Sequence, residues 1–153
     1  MSETLSVMAE LAARAPFPPL SEGQVAAALN DIAALEVRYD ISFPDDFRDH
    51  LLRIGPSTRE VWDDDEALWW PTGRLRNVVE EYEHPVKNPE VAREADKYVF
   101  FADLMIWCWA WAICCSDGPN RGKVVVFSEA ERFVADSFSE FLRRFFADPN
   151  SID

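Results

Sequence analysis

The chain has 153 residues, 48% of them hydrophobic and 13% aromatic against 28% charged, the balance of one globular domain and not of a disordered chain. Its 15 basic and 28 acidic residues give a net charge of −13, which opposes direct binding to nucleic-acid phosphates or anionic lipid and favours a positively charged partner. The opening MSETLSVMAELAARAPFPPL is mixed and helix-like, without a basic region followed by an apolar one, so a cytoplasmic protein is expected. Residues 1–20 read as an N-terminal helical extension and 21–153 as the main domain.

Ser21 and Gln24 have capping-box spacing, and Val25, Leu29, Ile32 and Leu35 repeat as the apolar side of a helix. In ISFPDDFRDHLLRIGP, Pro44 suits a first helical turn and Asp45 and Asp46 complement its dipole. Phe47, Leu51 and Ile54 then form an inward face, and Gly55-Pro56 is a stop. His50 sits on that helix with no serine or cysteine nearby to activate, so a structural role is expected, and His84 in a loop before Pro85 is no better a catalyst.

The middle of the chain offers a short aromatic strand at Leu68 to Trp70, a helix near Arg74 to Tyr82 with Leu75, Val78, Val79 and Tyr82 inward, and a second short helix after Pro89. From Glu60 to Asp96 there are 11 acidic and 4 basic residues, net −7, so more than half of the excess charge lies here. Such a run reads most plainly as a solvated surface. The sharper reading is a docking surface for a basic partner, because tryptophans interleave with the carboxylates and tryptophan is enriched among interface hot spots. The candidate partner-binding residues are Trp62, Asp63, Asp64, Asp65, Glu66, Trp69, Trp70, Glu80, Glu81 and Glu83. The run DDDE lacks the alternating ligands and central glycine of a calcium loop.

LMIWCWAWAICC, residues 104–115, holds three of the six tryptophans and all three cysteines. Twelve apolar residues are too few to span a bilayer, which takes about 20. Cys108, Cys114 and Cys115 have no C-x-x-C pairing and no neighbouring histidine, so a zinc site is not expected, and their odd number argues against a disulfide framework. Trp107, Trp109, Trp111 and Ile113 alternate with Cys108, Ala110, Ala112 and Cys114, which predicts one buried strand with a bulky face and a small face. The small face would admit a helix or second layer closely, and the cysteines would be buried and reduced. SDGPNRGK then reads as a turn and Val124 to Phe127 as the returning strand. Ser137 and Glu140 cap a last helix carrying Phe138, Phe141, Leu142, Phe145 and Phe146 on one stripe, closed by Pro149.

The chain has no glycine-rich phosphate loop, G-x-S-x-G elbow or H-E-x-x-H, no internal repeat, and no carboxylate pair that stands out from the general acidity. Enzymatic activity and a cofactor are therefore not expected.

The order of motifs resembles the SUKH superfamily. DIAALEVRYDISFPDDFRDHLLRIG, with Leu35-Glu36, Phe43-Pro44 and Gly55, looks like its entrance; YVFFADLMIWCWAWAI, KVVVF and VADSFSEFLRRFF look like its later strands and closing helix. The resemblance covers about Ser21 to Asp148, and Asp103-Leu104-Met105 departs from it where a glycine-rich turn is frequent. It implies an α+β fold with a single twisted, mainly antiparallel β-sheet and helices packed against it, and a non-catalytic protein. The superfamily includes bacterial immunity proteins that neutralise polymorphic toxins, many of which act on nucleic acids, and fungal regulators of cell-wall assembly. A chain that is nearly all domain resembles the immunity branch more, with a cognate, basic toxin domain as partner and a monomer when free. The alternative is a non-catalytic regulatory scaffold that binds an endogenous protein. Thermal stability should be indifferent to a chelator and to mild reductant; a large drop in melting temperature with either would reverse the expectation of neither zinc nor disulfide.

Overall fold

The computed structural model describes residues 20–53, 61–62, 67–104 and 107–148. Helix α1 (Glu22–Tyr39) opens on the expected capping box: the Ser21 hydroxyl accepts from the Gln24 N–H, and the Gln24 side chain accepts from the Ser21 N–H. It buries Ala28, Ile32, Leu35 and Tyr39. The helix closes at Asp40 in left-handed backbone (φ 53°), and the Lys97 ammonium donates to the Tyr39 and Asp40 carbonyls there. Helix α2 (Asp45–Arg53) buries Phe47, His50 and Leu51, while Ile54, Gly55 and Pro56 lie outside the described residues.

The strands β1 (Val61–Trp62), β2 (Ala67–Trp69), β3 (Arg76–Asn77), β4 (Tyr98–Leu104), β5 (Trp109–Cys114), β6 (Val124–Phe127) and β7 (Glu131–Ala135) form one antiparallel sheet in the order β1-β2-β4-β5-β6-β7. Strands β2 and β3 share one side of β4: β2 pairs with Ala102 to Leu104 and β3 with Val99 and Phe100. Short helices α3 (Val78–Glu81) and α4 (Pro89–Arg93) precede β4, and α5 (Phe138–Ala147) follows β7. The Ser137 hydroxyl caps α5 by accepting from the Glu140 N–H (3.1 Å), as the sequence predicts. The fold is α+β, as expected.

One face of the sheet is covered by α2 and α5 through aromatic packing. Phe101 meets Phe138 and Phe141, Trp111 meets Phe141 and Phe145, and Phe47 meets Phe138, with ring centroids 5.0–5.8 Å apart. Each fully buried phenylalanine here contributes about 1.5–3 kcal/mol. A bulge between Phe100 and Ala102 inserts Phe101 opposite β5, which lets both Phe101 and Trp69 reach these helices.

Five features differ from the sequence expectations. Residues 104–115 are not one strand: β4 ends at Leu104, a turn holds Trp107 and Cys108, and β5 begins at Trp109. The period of two runs through the turn because Trp107 and Trp109 lie two apart, so alternation alone does not reveal the reversal. Cys108, expected to be buried, is exposed, whereas Cys114 and Cys115 are buried. The helices pack on the bulky face of β5; its small face, Ala110 and Ala112, instead makes room for Phe127 and Phe100, their cross-strand partners. The helix expected over Arg74 to Tyr82 is a 3-10 turn at Thr72–Arg74, strand β3 and a single turn of α3, leaving Val79 62% exposed. Here pairing of Arg76 and Asn77 with β4 outweighs helix periodicity, and the Asn77 side chain, accepting from the Glu80 N–H, starts α3 late. The edge strand β7 has no counterpart among the elements read from sequence; Glu131 and Val134 are tied down by Asn88 and Arg144, which donate to their carbonyls.

His50 is 2% exposed among Phe47, Trp69 and Phe138, and its Nδ1 has no hydrogen-bond partner among the described residues. Burial alone pushes its pKa down from 6.5 to about 3. The unfolded chain therefore takes up this proton first: the stabilisation is full above pH 6.5 and is lost as pH falls towards 3. Between pH 7 and pH 5 the protein should lose about 2 kcal/mol through this residue. Urea unfolding at the two pH values should show the loss, and His50→Phe should remove most of it; an unchanged pH dependence in that variant would reject the assignment.

Candidate partner-binding groove

The sheet face away from α2 and α5 carries a second aromatic cluster, built on Phe100. Its ring centroid lies 4.8 Å from Phe127, 5.1 Å from Trp107, 6.1 Å from Trp70 and 6.3 Å from Tyr82. Above it opens a groove of about 390 Å³. Glu81, Tyr82, Glu83 and His84 make one wall, Trp107 and Cys108 the other, and Phe127 and Ser128 one end.

The wall at Trp107 depends on a buried carboxylate. Asp103, 3% exposed on β4, accepts from Trp70 Nε1 (2.8 Å) and from the Trp107 backbone N–H (3.2 Å). Trp107 itself has left-handed backbone (φ 67°), which costs a residue with a Cβ about 1–2 kcal/mol and persists only where its surroundings enforce it. The Cys108 N–H donating to the Leu104 carbonyl closes the same turn. The result is a tryptophan 36% exposed at the lip of the groove.

On the opposite wall Glu81 is paired with Arg74, whose guanidinium also lies over the Trp70 ring, 4.1 Å from its centroid. Glu83 is exposed and makes no ion pair among the described residues. Glu80 faces elsewhere: it binds Arg38 through both carboxylate oxygens (2.8 and 2.9 Å) and accepts from the Tyr39 hydroxyl (2.7 Å), so it ties α3 to α1. Those hydrogen bonds, the Tyr39 one foremost, hold its carboxyl below the ordinary carboxylate range.

The expected site residues are thus divided. Trp69 and Trp70, proposed as exposed anchors, are 1% and 2% exposed; Trp69 packs under α5 and Trp70 beneath Trp107, so both are core. Trp69 ends β2 and Trp70 follows it in extended chain, its N–H donating to the Phe101 carbonyl, so the two point to opposite faces of the sheet and both faces are covered. Glu81 and Glu83 line the groove, whereas Glu80 is engaged with α1. Asp63, Asp64, Asp65 and Glu66 lie outside the described residues, but both neighbours of that run are placed: Trp62 pairs with Leu68, and Ala67 pairs with Leu104, at the end of β4 that leads into the Trp107 turn. Trp107, Tyr82, His84, Cys108 and Phe127 are groove residues that sequence reading did not assign to the site. The only available signal was Asp103 interrupting an apolar run, a polar residue that needs a partner when buried.

Elsewhere the reactive groups are muted. Burial pushes the Cys114 and Cys115 thiols up, which disfavours the nucleophilic thiolate, and His50 is held neutral. Among the described residues, no cluster of histidine, cysteine and carboxylate side chains has the arrangement to hold a metal ion, and no helix is long and apolar enough to cross a membrane.

The family model for SMI1 / KNR4 (SUKH-1) matches residues 26–144, which takes in the groove and every strand. No curated protein and no solved structure matches the chain.

Asp103→Asn should replace an acceptor by a donor at one of its two bonds and leave a buried N–H unsatisfied. Stability to urea should fall by about 1–3 kcal/mol, and an unchanged unfolding midpoint would show the Trp70–Asp103–Trp107 clamp to be dispensable.

Proposed function

The chain belongs to the SMI1/KNR4 family (SUKH-1), which takes in toxin-immunity proteins and cell-wall regulators and is generally non-catalytic, and from that premise we propose that this member is an immunity protein. It binds a cognate toxin domain stoichiometrically in the cytoplasm, as a monomer when free, and neutralises it by protein–protein contact. The observation that carries the reading is the acidic, tryptophan-lipped groove next to the end of β4, where Ala67, the residue that follows Asp63–Glu66 in sequence, pairs with Leu104.

The partner is basic, because an excess of 13 negative charges favours encounter with a positively charged surface. A toxin domain that works on nucleic acid presents lysine and arginine to phosphates, and the same side chains suit this surface. Trp62, Asp63, Asp64, Asp65, Glu66, Glu81 and Glu83 belong to the proposed surface, joined by Trp107. Exposed carboxylates act chiefly by steering, so their effect falls on association and on salt dependence. Aromatic anchors that become desolvated act on dissociation.

Co-expression with the product of a toxin gene found immediately upstream should protect the cell, and the purified pair should form a one-to-one complex. Changing Asp63, Asp64 and Asp65 together to Asn should slow association about tenfold at low salt and flatten its salt dependence, with little change in dissociation. If no neighbouring gene product binds, the regulatory-scaffold reading replaces immunity; if binding is untouched by the triple change, the acidic run is not part of the surface.

A further inference from the structure

We propose that the groove between Glu81–His84 and the Trp107 turn receives the guanidinium of one arginine side chain from a basic protein partner. The identity of that partner as a toxin rests on the immunity reading above; the preference for a guanidinium rests on the groove alone.

Three aromatic rings, Tyr82, Trp107 and Phe127, stand around Phe100. Tyr82 and Trp107 are nearly parallel, 18° between planes with centroids 6.5 Å apart, and both border the open volume. A cation within about 6 Å of an aromatic face is attracted by the ring quadrupole, most strongly at tryptophan. Parallel ring planes favour a planar cation that stacks, which is arginine's geometry and not the compact, strongly hydrated ammonium of lysine. Glu83 adds an acceptor that no other described residue engages.

The protein already uses this chemistry on itself one step away. Arg74 lies over Trp70 at 4.1 Å from the ring centroid and pairs with Glu81. An incoming arginine would meet the same combination, ring plus carboxylate, in Trp107 and Glu83. The size agrees: about 390 Å³ is near the lower end for ligand pockets, room for one side chain and a short length of backbone and too little for a docked helix. Net charge disfavours an anionic occupant on the same ground that it favours a cationic one.

The test uses the full chain and a defined probe, N-acetyl-arginine N-methylamide, titrated at low salt while the backbone amides of Tyr82, Glu83 and Cys108 are followed by NMR. The lysine analogue and an N-acetyl-glutamate control are run beside it. Saturable shifts with the arginine probe, weaker with lysine and absent with glutamate, are expected. Trp107→Gly suits the positive φ of its position, so the turn is kept while the ring is lost, and affinity should fall about tenfold. Glu83→Gln, a change at an exposed position, should weaken binding about threefold and reduce its salt dependence. Absence of a saturable shift, an equal response to lysine, or unchanged affinity in both folded variants would overturn the proposal. The two readings separate cleanly: a toxin that binds while the arginine probe does not leaves immunity standing and removes the pocket, and the reverse result removes immunity and keeps the pocket.

Discussion

Strand β4 has all seven of its residues buried and pairs with β2, β3 and β5, so both faces of the sheet need cover along its whole length. The two covers differ in kind. On one face α2 and α5 lay down a continuous aromatic layer, with Phe141 touching Phe101, Trp69 and Trp111. On the other, among the described residues no long helix lies over Phe100, and the cover is assembled from Trp70, Tyr82, Phe127 and the tryptophan of a turn. A cover made of single side chains from separate segments closes less completely than a helix, and the gap left between its pieces is the groove.

Asp103 connects that architecture to the site. A carboxylate in this position is expensive to bury without donors, and its two partners come from different segments: the indole of Trp70 just after β2, and the backbone of Trp107 in the turn. One buried acceptor thus fixes the floor of the groove and its lip together. It also accounts for a hairpin without glycine or proline. The chain reverses through a left-handed tryptophan, and the hydrogen bond to Asp103 offsets part of that conformational cost. A frequent glycine-rich turn at this point of the SUKH pattern would have no such ring to present.

The acidic character of the chain has two uses that composition does not separate. Glu80 and Glu36 are structural: Glu80 anchors α1 through Arg38 and Tyr39, and Glu36 joins α1 to α2 by accepting from the Phe43 N–H and from Arg48. Asp46 likewise receives Ser139 at the start of α5. Glu83 has no such partner among the described residues. The carboxylates available to another molecule are those the fold leaves over, and in the groove that is Glu83, on the wall facing the exposed Trp107.

The sequence by itself determined the class of fold, the capped helices at Ser21 and Ser137, the strand at Val124–Phe127 and the burial of Trp111, because capping spacings and alternation are local signals written within a few residues. It also carried the family, through the order of its motifs. Where a residue's fate depends on a distant segment, local pattern was silent or misleading. Trp69, Trp70 and Trp107 are alike in hydrophobicity, yet the first packs under α5, the second under the third, and only the third reaches solvent. The reversal between Leu104 and Trp109 was hidden because a period of two passes unbroken through it, and the short helix at Val78 was overstated because pairing with β4 claimed the residues before it. Tertiary structure alone decided which tryptophan stands beside which carboxylate, since that requires Asp103, Tyr82 and Phe127, far apart in the chain, to meet on one face of one strand.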